Sequence, residues 1–347
     1  ILFFAIGLAA FGNFHGKVQA ATLSVCPSGC TYTTFYAAEL AAASGDTISI
    51  SGPTTETQGT SSTGSQKTLT ILTNGSPQTI NINANLTEDL SKGTWTFNDI
   101  VFNHLTAATS LFNNSSTAAP LTFTNCGFIS NQADAVFSVG ISVKPLSFNQ
   151  CFFIGGASST AGISIIGPTG TVYIRMQNSI VRDVGSGYAV GEAAASGLND
   201  NFYFCDFVNN LNGLFINNLN NAATITDCIF ESTGTTELAV SSGTGKAVTA
   251  DYCTFSALPA ATPPLGLGTH NYVSAAASEF VNATAGSEDL HLLSTASSKG
   301  HGLAIGGITT DYPGVTRNTP EDIGAYAYLY PTPTATPTNT PTATPVS

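Results

Sequence analysis

Positive charge is what this chain has least of. Its 347 residues include nine Lys plus Arg against 21 Asp plus Glu, a formal net charge of −12. Phosphate recognition needs a basic stripe, and none is present, so no nucleic acid partner is expected. Long apolar runs are also missing: "ILFFAIGLAAFG" at the start is too short to span a bilayer. The seven cysteines include no CxxC pair and no histidine keeps step with them, so no metal site is expected. What the chain has in abundance is repetition.

"LTFTNCGF" around Cys126 returns as "LSFNQCFF" around Cys151. With the cysteine as position zero, the series is Ile100, Cys126, Cys151, Ser179, Cys205, Cys228 and Cys253, in steps of 26, 25, 28, 26, 23 and 25. Position −3 is apolar throughout (Phe97 to Ala250), and position +2 is Phe in six copies and Val181 in the other. Both rows point inward. An odd step separates position −3 from zero, so the chain must turn between two strands. The turning residue, position −1, is Asp99, Asn125, Gln150, Asn178, Phe204, Asp227 or Tyr252; Asn and Asp tolerate the left-handed backbone of a tight bend, and four of the seven conform. A third apolar run follows each corner ("SLF" at 110, "AVFSV" at 135, "GISI" at 162, "GYAV" at 187, "GLFI" at 213, "ELAV" at 237).

Three short strands per repeat of about 25 residues predict an all-β solenoid, a right-handed parallel β-helix of about nine coils. Cys126, Cys151, Cys205, Cys228 and Cys253 are then rungs of an internal ladder. Parallel stacking holds neighbouring Cβ atoms farther apart than a disulfide allows, which leaves five buried thiols acting as small hydrophobes.

The ends differ from the middle. Residues 1–20 read as a signal peptide that begins part-way through, with cleavage after Ala20. Export implies an oxidising compartment, where Cys26 and Cys30 of "CPSGC" pair. Residues 21–330 form the solenoid domain with a C-terminal cap at 279–330, and 331–347 is a Pro/Thr linker with roughly 50 Å of polyproline reach.

"CPSGCTYTTFYAAELAAASGDTISISG" resembles the first turn of secreted parallel β-helix proteins of the pectate-lyase-like type, in which a short helix, here about 34–43, plugs the solenoid end. "SEDLHLLSTASSKGHGLAIGG" with "TTDYPGVTRNTPEDIGAYAY" resembles the closing segment of choice-of-anchor Q domain proteins, through Leu290, Leu292, Asp311, Gly314, Arg317, Asp322, Ile323, Gly324, Ala325 and Tyr326. The pattern departs at Ala327, where an acidic residue is usual. The resemblance implies a surface or secreted protein with a tethering tail. Asp311, Arg317 and Asp322 are expected to pin the cap over the end of the solenoid, whose open strands would otherwise invite association.

Catalysis on a polysaccharide needs two acids close together, or for a lyase calcium with a basic residue. No outward row carries acids on adjacent coils. The nearest set is diagonal, Asp206, Asp227 and Asp251 with Arg175, and each is expected to be a solvated surface residue. Outward Thr, Ser and Asn residues, Asn201 among them, and the aromatics Tyr203 and Tyr252 suit sugar hydroxyls and ring faces. These observations favour a monomeric, adhesin-like protein that binds polysaccharide or cell-surface glycan without a cofactor. The alternative is a polysaccharide lyase or glycoside hydrolase, with calcium if it is a lyase.

Overall fold

The computed structural model describes residues 19–57, 67–83, 94–105, 120–139, 145–165, 174–192, 199–216, 222–234, 236–241, 247–260, 265–275 and 277–328. The expected signal peptide, apart from its last two residues, the expected linker and the apolar run at 110 lie outside them.

Among the described residues, successive coils build three parallel sheets of eleven, ten and five strands. The first sheet carries position −3 and the second position +2; Phe123 pairs with Phe97 and Phe148 in one, Phe128 with Phe102 and Phe153 in the other. The third gathers the later apolar runs, from Ala135–Val139 to Leu238–Val240. The fold is therefore an all-β parallel solenoid. The first sheet has eleven strands where about nine coils were expected: the strand at Thr22–Val25 precedes, and the strand at Leu265–Leu267 follows, the nine that run from Thr47–Ile50 to Val248–Asp251.

Like side chains stack inside. The rings of Phe97 and Phe123 are 4.9 Å apart and nearly parallel, and those of Phe128 and Phe153 are 4.7 Å apart. The five ladder cysteines are buried and unbridged. Each thiol donates to the carbonyl two residues before it and to one on the previous coil, as Cys126 does to Thr124 O at 3.3 Å and Phe97 O at 3.5 Å. Ser179 makes the same local bond, to Gln177 O at 2.7 Å. The repeated cysteine thus has a second task besides filling space: its thiol adds a bond at the corner, to a carbonyl that also accepts a backbone N–H from the previous coil, as Thr124 O does from Asp99 N at 3.1 Å.

At the N-terminal end, the helix Phe35–Ala41 closes the core. The side chain of Thr34 caps it by accepting from Ala37 N at 3.2 Å, and Phe35 packs edge-on against Trp95 at 6.2 Å. Glu56 accepts from Phe35 N and Tyr36 N, placing a carboxylate at the positive end of the helix. Cys26 and Cys30 are joined as a disulfide. No helix among the described residues is long and apolar enough to cross a membrane.

The C-terminal segment, 279–328, is placed differently from the expectation. It does not cover the end of the stack but runs back along the flank as a lateral arm. Its Phe280, Leu290, Leu292, Ile323 and Ala325 form a second apolar core with Ile180, Val208 and Ile229 on the outer side of the second sheet. The cause is in the sheet. Position +1, which faces outward, is Phe152, Ile180 and Ile229 on three coils, an apolar strip that must be covered.

Candidate functional site

The corner row and the arm are fitted to each other. All seven corner residues have positive φ, between 47° and 61°, including the three that are neither Asn nor Asp. Those that face the arm each make a specific contact. Gln150 Nε2 donates to Asp311 O at 3.0 Å, and Asn178 Oδ1 accepts from Arg317 at 2.7 Å. The Arg317 guanidinium lies 3.7 Å over the Phe204 ring, and Leu303 N donates to Asp227 Oδ1 at 2.8 Å. Phe204 tolerates a left-handed backbone because its ring is held against a cation.

Within the arm, Arg317 donates to Gly324 O and Ala325 O, Asp322 accepts from Gly300 N and Tyr328 N, and Asp311 accepts from Val315 N and Ala327 N. All three are buried and bound mostly to backbone, so they hold the shape of the arm.

This arrangement corrects the expectation for two candidate acids. Asp206 and Asp227 are completely buried rather than solvated. Ala325 N donates to Asp206 Oδ1 at 2.9 Å, and Gly324 sits so close that a Cβ would meet that oxygen at 2.6 Å. Burial, partly opposed by backbone hydrogen bonds and Arg317, pushes both carboxyls up to about 8. No substrate reaches them. Asp251 remains partly exposed and engages His270 Nδ1 at 3.2 Å, while His270 stacks on Tyr252 at 4.4 Å. Arg175 pairs in register with Asn201 on the first sheet, on the coil whose corner residue Asn178 meets the arm, and Tyr203 OH donates to Asn201 Oδ1.

A concave site forms elsewhere, between the arm and the second sheet. Two adjoining cavities of about 540 Å³ and 690 Å³ share Ile154 and Arg182. One is walled by Phe152, His291, Tyr312 and Tyr326. The Tyr326 ring lies 4.8 Å from His291 and 5.2 Å from Tyr312, so three rings make a continuous wall. The other is floored by glycine and alanine and edged by Asn131, Asn209 and Thr233. Where they meet, Arg182 bridges Asp183 on the sheet and Glu288 on the arm.

The bridge separates the two acids electrostatically. Burial, with the adjacent Glu288, raises Asp183 to about 6 in spite of Arg182. Burial also opposes ionisation of Glu288, but hydrogen bonds from its own backbone, Gly286 and Asp183, together with Arg182, outweigh it and hold that carboxyl below its usual range. His291 Nδ1 donates to Asp289 Oδ1 at 2.6 Å, which lowers Asp289 and turns Nε2 outward from the dyad.

Of the groove's polar residues, Tyr326 alone was singled out from sequence, and as part of the closing motif rather than of a site. Arg182 and Asp183 directly follow position +2, just past the rows read for paired acids, and Glu288, His291, Tyr312 and Tyr326 come from a non-repeating segment with no row to join. The three apolar residues at position +1 were the available signal.

The chain is a parallel β-solenoid with a lateral C-terminal arm and a composite groove. It is similar to the solved structure titled "Crystal structure of pectate lyase Pel9A" at 14% identity and a TM-score of 0.44, covering 90% of this chain and 98% of that chain. No protein-family model and no curated protein matches it.

Proposed function

We propose that this is a secreted or cell-surface protein of the choice-of-anchor Q kind that binds glycan, without a cofactor and without turning it over, in the groove between the second sheet and the arm. The observation that carries this reading is the wall of Phe152, Tyr312, Tyr326 and His291 beside a floor of small residues and amides. Sugar faces stack on such rings while their hydroxyls meet amides and hydroxyls, and each cavity has the volume of a small-ligand site. The N-terminal disulfide suits an exported protein. Burial of Asp206 and Asp227 supports a non-catalytic role, since two of the acids on adjacent coils are spent on docking the arm.

The test is affinity electrophoresis of the full chain through gels containing soluble polysaccharides, comparing His291→Ala in the groove with Asn201→Ala on the first sheet. Retardation lost in the first variant and kept in the second is the expected result. The reverse would move the site to the first sheet, and no retardation by any polymer would overturn the reading.

One observation favours hydrolysis as a second reading: Asp183 and Glu288 are neighbouring acids in a cavity with their proton affinities driven apart, as acid and base pairs often are. Under that reading Asp183 is the acid. Release of reducing ends that vanishes in Asp183→Asn would establish it; no release from polymers that bind would eliminate it.

A further inference from the structure

The charges in the groove distinguish between classes of glycan. Among the described residues that line the two cavities, the charged side chains are Arg182, Asp183, Glu288 and Asp289, so one cation stands against three acids. The cation is already engaged. Arg182 contacts Asp183 on one side and Glu288 on the other, and those contacts hold the arm against the sheet. Asp289 contributes a further carboxylate that is about half exposed, with its ionised form favoured by His291.

A polyuronate brings one carboxylate per sugar. Bound here, it would place anions beside Asp289 and Glu288 with no uncommitted cation lining the groove, and the penalty for such like-charge contact is large where water is partly excluded. The remaining lining suits a ligand whose polar groups are hydroxyls. Asn131 and Thr233 offer donors and acceptors of neutral kind, and the ring wall is indifferent to ligand charge.

We infer that the groove selects glycans that lack carboxylate and sulfate groups, and rejects polyuronates. This rests on the glycan-binding reading above. The selectivity comes from Glu288 and Asp289 on the arm, with Asp183 behind them on the sheet. A bridging calcium ion is the one route by which an acidic glycan could still attach to these carboxylates, so it is part of the test.

The experiment compares matched polymers on the full chain: hydroxyethyl cellulose with carboxymethyl cellulose, and highly methyl-esterified pectin with the same pectin after de-esterification. Each is titrated by calorimetry or gel retardation, in chelator and in calcium. At least one neutral member should bind at least about tenfold tighter than its acidic partner in both solutions, the scale set by a single unfavourable charge contact. Asp289→Asn, a rim substitution that keeps the hydrogen bond to His291, should narrow that gap by about threefold or more.

Preference for the acidic member, with or without calcium, overturns this inference and leaves glycan binding intact. An unchanged gap in Asp289→Asn overturns the assignment of selectivity to the arm carboxylates. Binding to neither member of either pair overturns this inference, and the broader reading falls with it if the wider set of polymers is also unbound.

Discussion

The corner row behaves differently in its two halves. At Asp99 and Asn125 it is open to water and the side chains bond to one another, with Asn125 Nδ2 donating to Asp99 Oδ1 at 2.6 Å. From Gln150 to Asp227 the same backbone corner lies beneath the arm, and each side chain is chosen for what the arm presents to it. Where nothing covers the row, the residue is set by backbone conformation alone, so Asp and Asn serve. Where the arm covers it, contact overrides propensity and Phe204 occupies a left-handed position that its type rarely adopts. A repeat can thus hold its geometry constant while its chemistry is rewritten by a distant segment.

The interior rows ignore that division, and substitutions there should have the largest effect. Phe128→Ala and Phe153→Ala are each expected to cost about 3 to 5 kcal/mol in urea denaturation, because a stack held by strands on all sides cannot close around a lost ring. The two should cost alike, although Phe128 precedes the arm-covered coils and Phe153 lies among them. A clear difference would mean that the arm supports the interior as well as the flank.

Arg317→Leu comes next. It removes the cation from Phe204 and takes the guanidinium donor from Asn178 Oδ1 and from the carbonyls of Thr310, Asp322 and Gly324, while Ala325 O keeps its bond from Tyr312 N, at an expected cost of about 3 kcal/mol. Limited proteolysis should show that loss as cutting within 300–327 while the solenoid stays intact.

Proton binding offers a milder way to loosen the same contact. Asp206 and Asp227 sit at about 8 in the folded protein, against an ordinary 3.8 when free. Between those values the docked form holds more protons than the undocked one, so stability is fully present below the lower value and is lost as pH rises through the upper one. Protease resistance of the arm should therefore fall from about pH 5 to about pH 9. Asp206→Asn should flatten the trend in part, because Asp227 still titrates. A trend of the opposite sign would show that both acids are ionised when docked.

The smallest effects belong to the uncovered half. Asn125→Ala is expected to cost about 1 kcal/mol, the penalty for a left-handed residue without a compensating side chain. Thr122→Ala, on the solvated face of the first sheet, should cost under about 0.5 kcal/mol. If Phe204→Ala proves no costlier than Asn125→Ala, the two halves of the row do not differ as described.

This contrast also explains what the sequence could reveal. The three apolar runs, the odd step at the corner and the cysteine ladder are local and periodic, and they specified the solenoid and its register. Phe204, Gln150 and Tyr252 broke the corner pattern, and the first two have their reason in contacts with residues 113 and 161 positions away. Such contacts leave no mark on a repeat except the exception itself. Asp206 and Asp227 looked like surface acids because alternation assigns a side chain to the outer face without saying what lies over that face. The groove was hidden for the same reason, being half solenoid and half arm. The arm residues Asp311, Arg317 and Asp322 were legible as a motif, whereas their place on the flank was not.

The central claim is that the arm is a separate wall docked on the covered half of the corner row. Hydrogen exchange on wild type and Arg317→Leu tests it most directly. The amides of Leu303, Gly324, Ala325 and Ala327 accept solvent deuterium slowly in wild type if they are bonded to Asp227, Asp206 and Asp311 as described. In Arg317→Leu those amides should exchange quickly while the rung amides of Phe152 and Ile180 remain protected. Fast exchange of the four arm amides in wild type, or equal loss of protection in arm and rungs in the variant, would contradict the account.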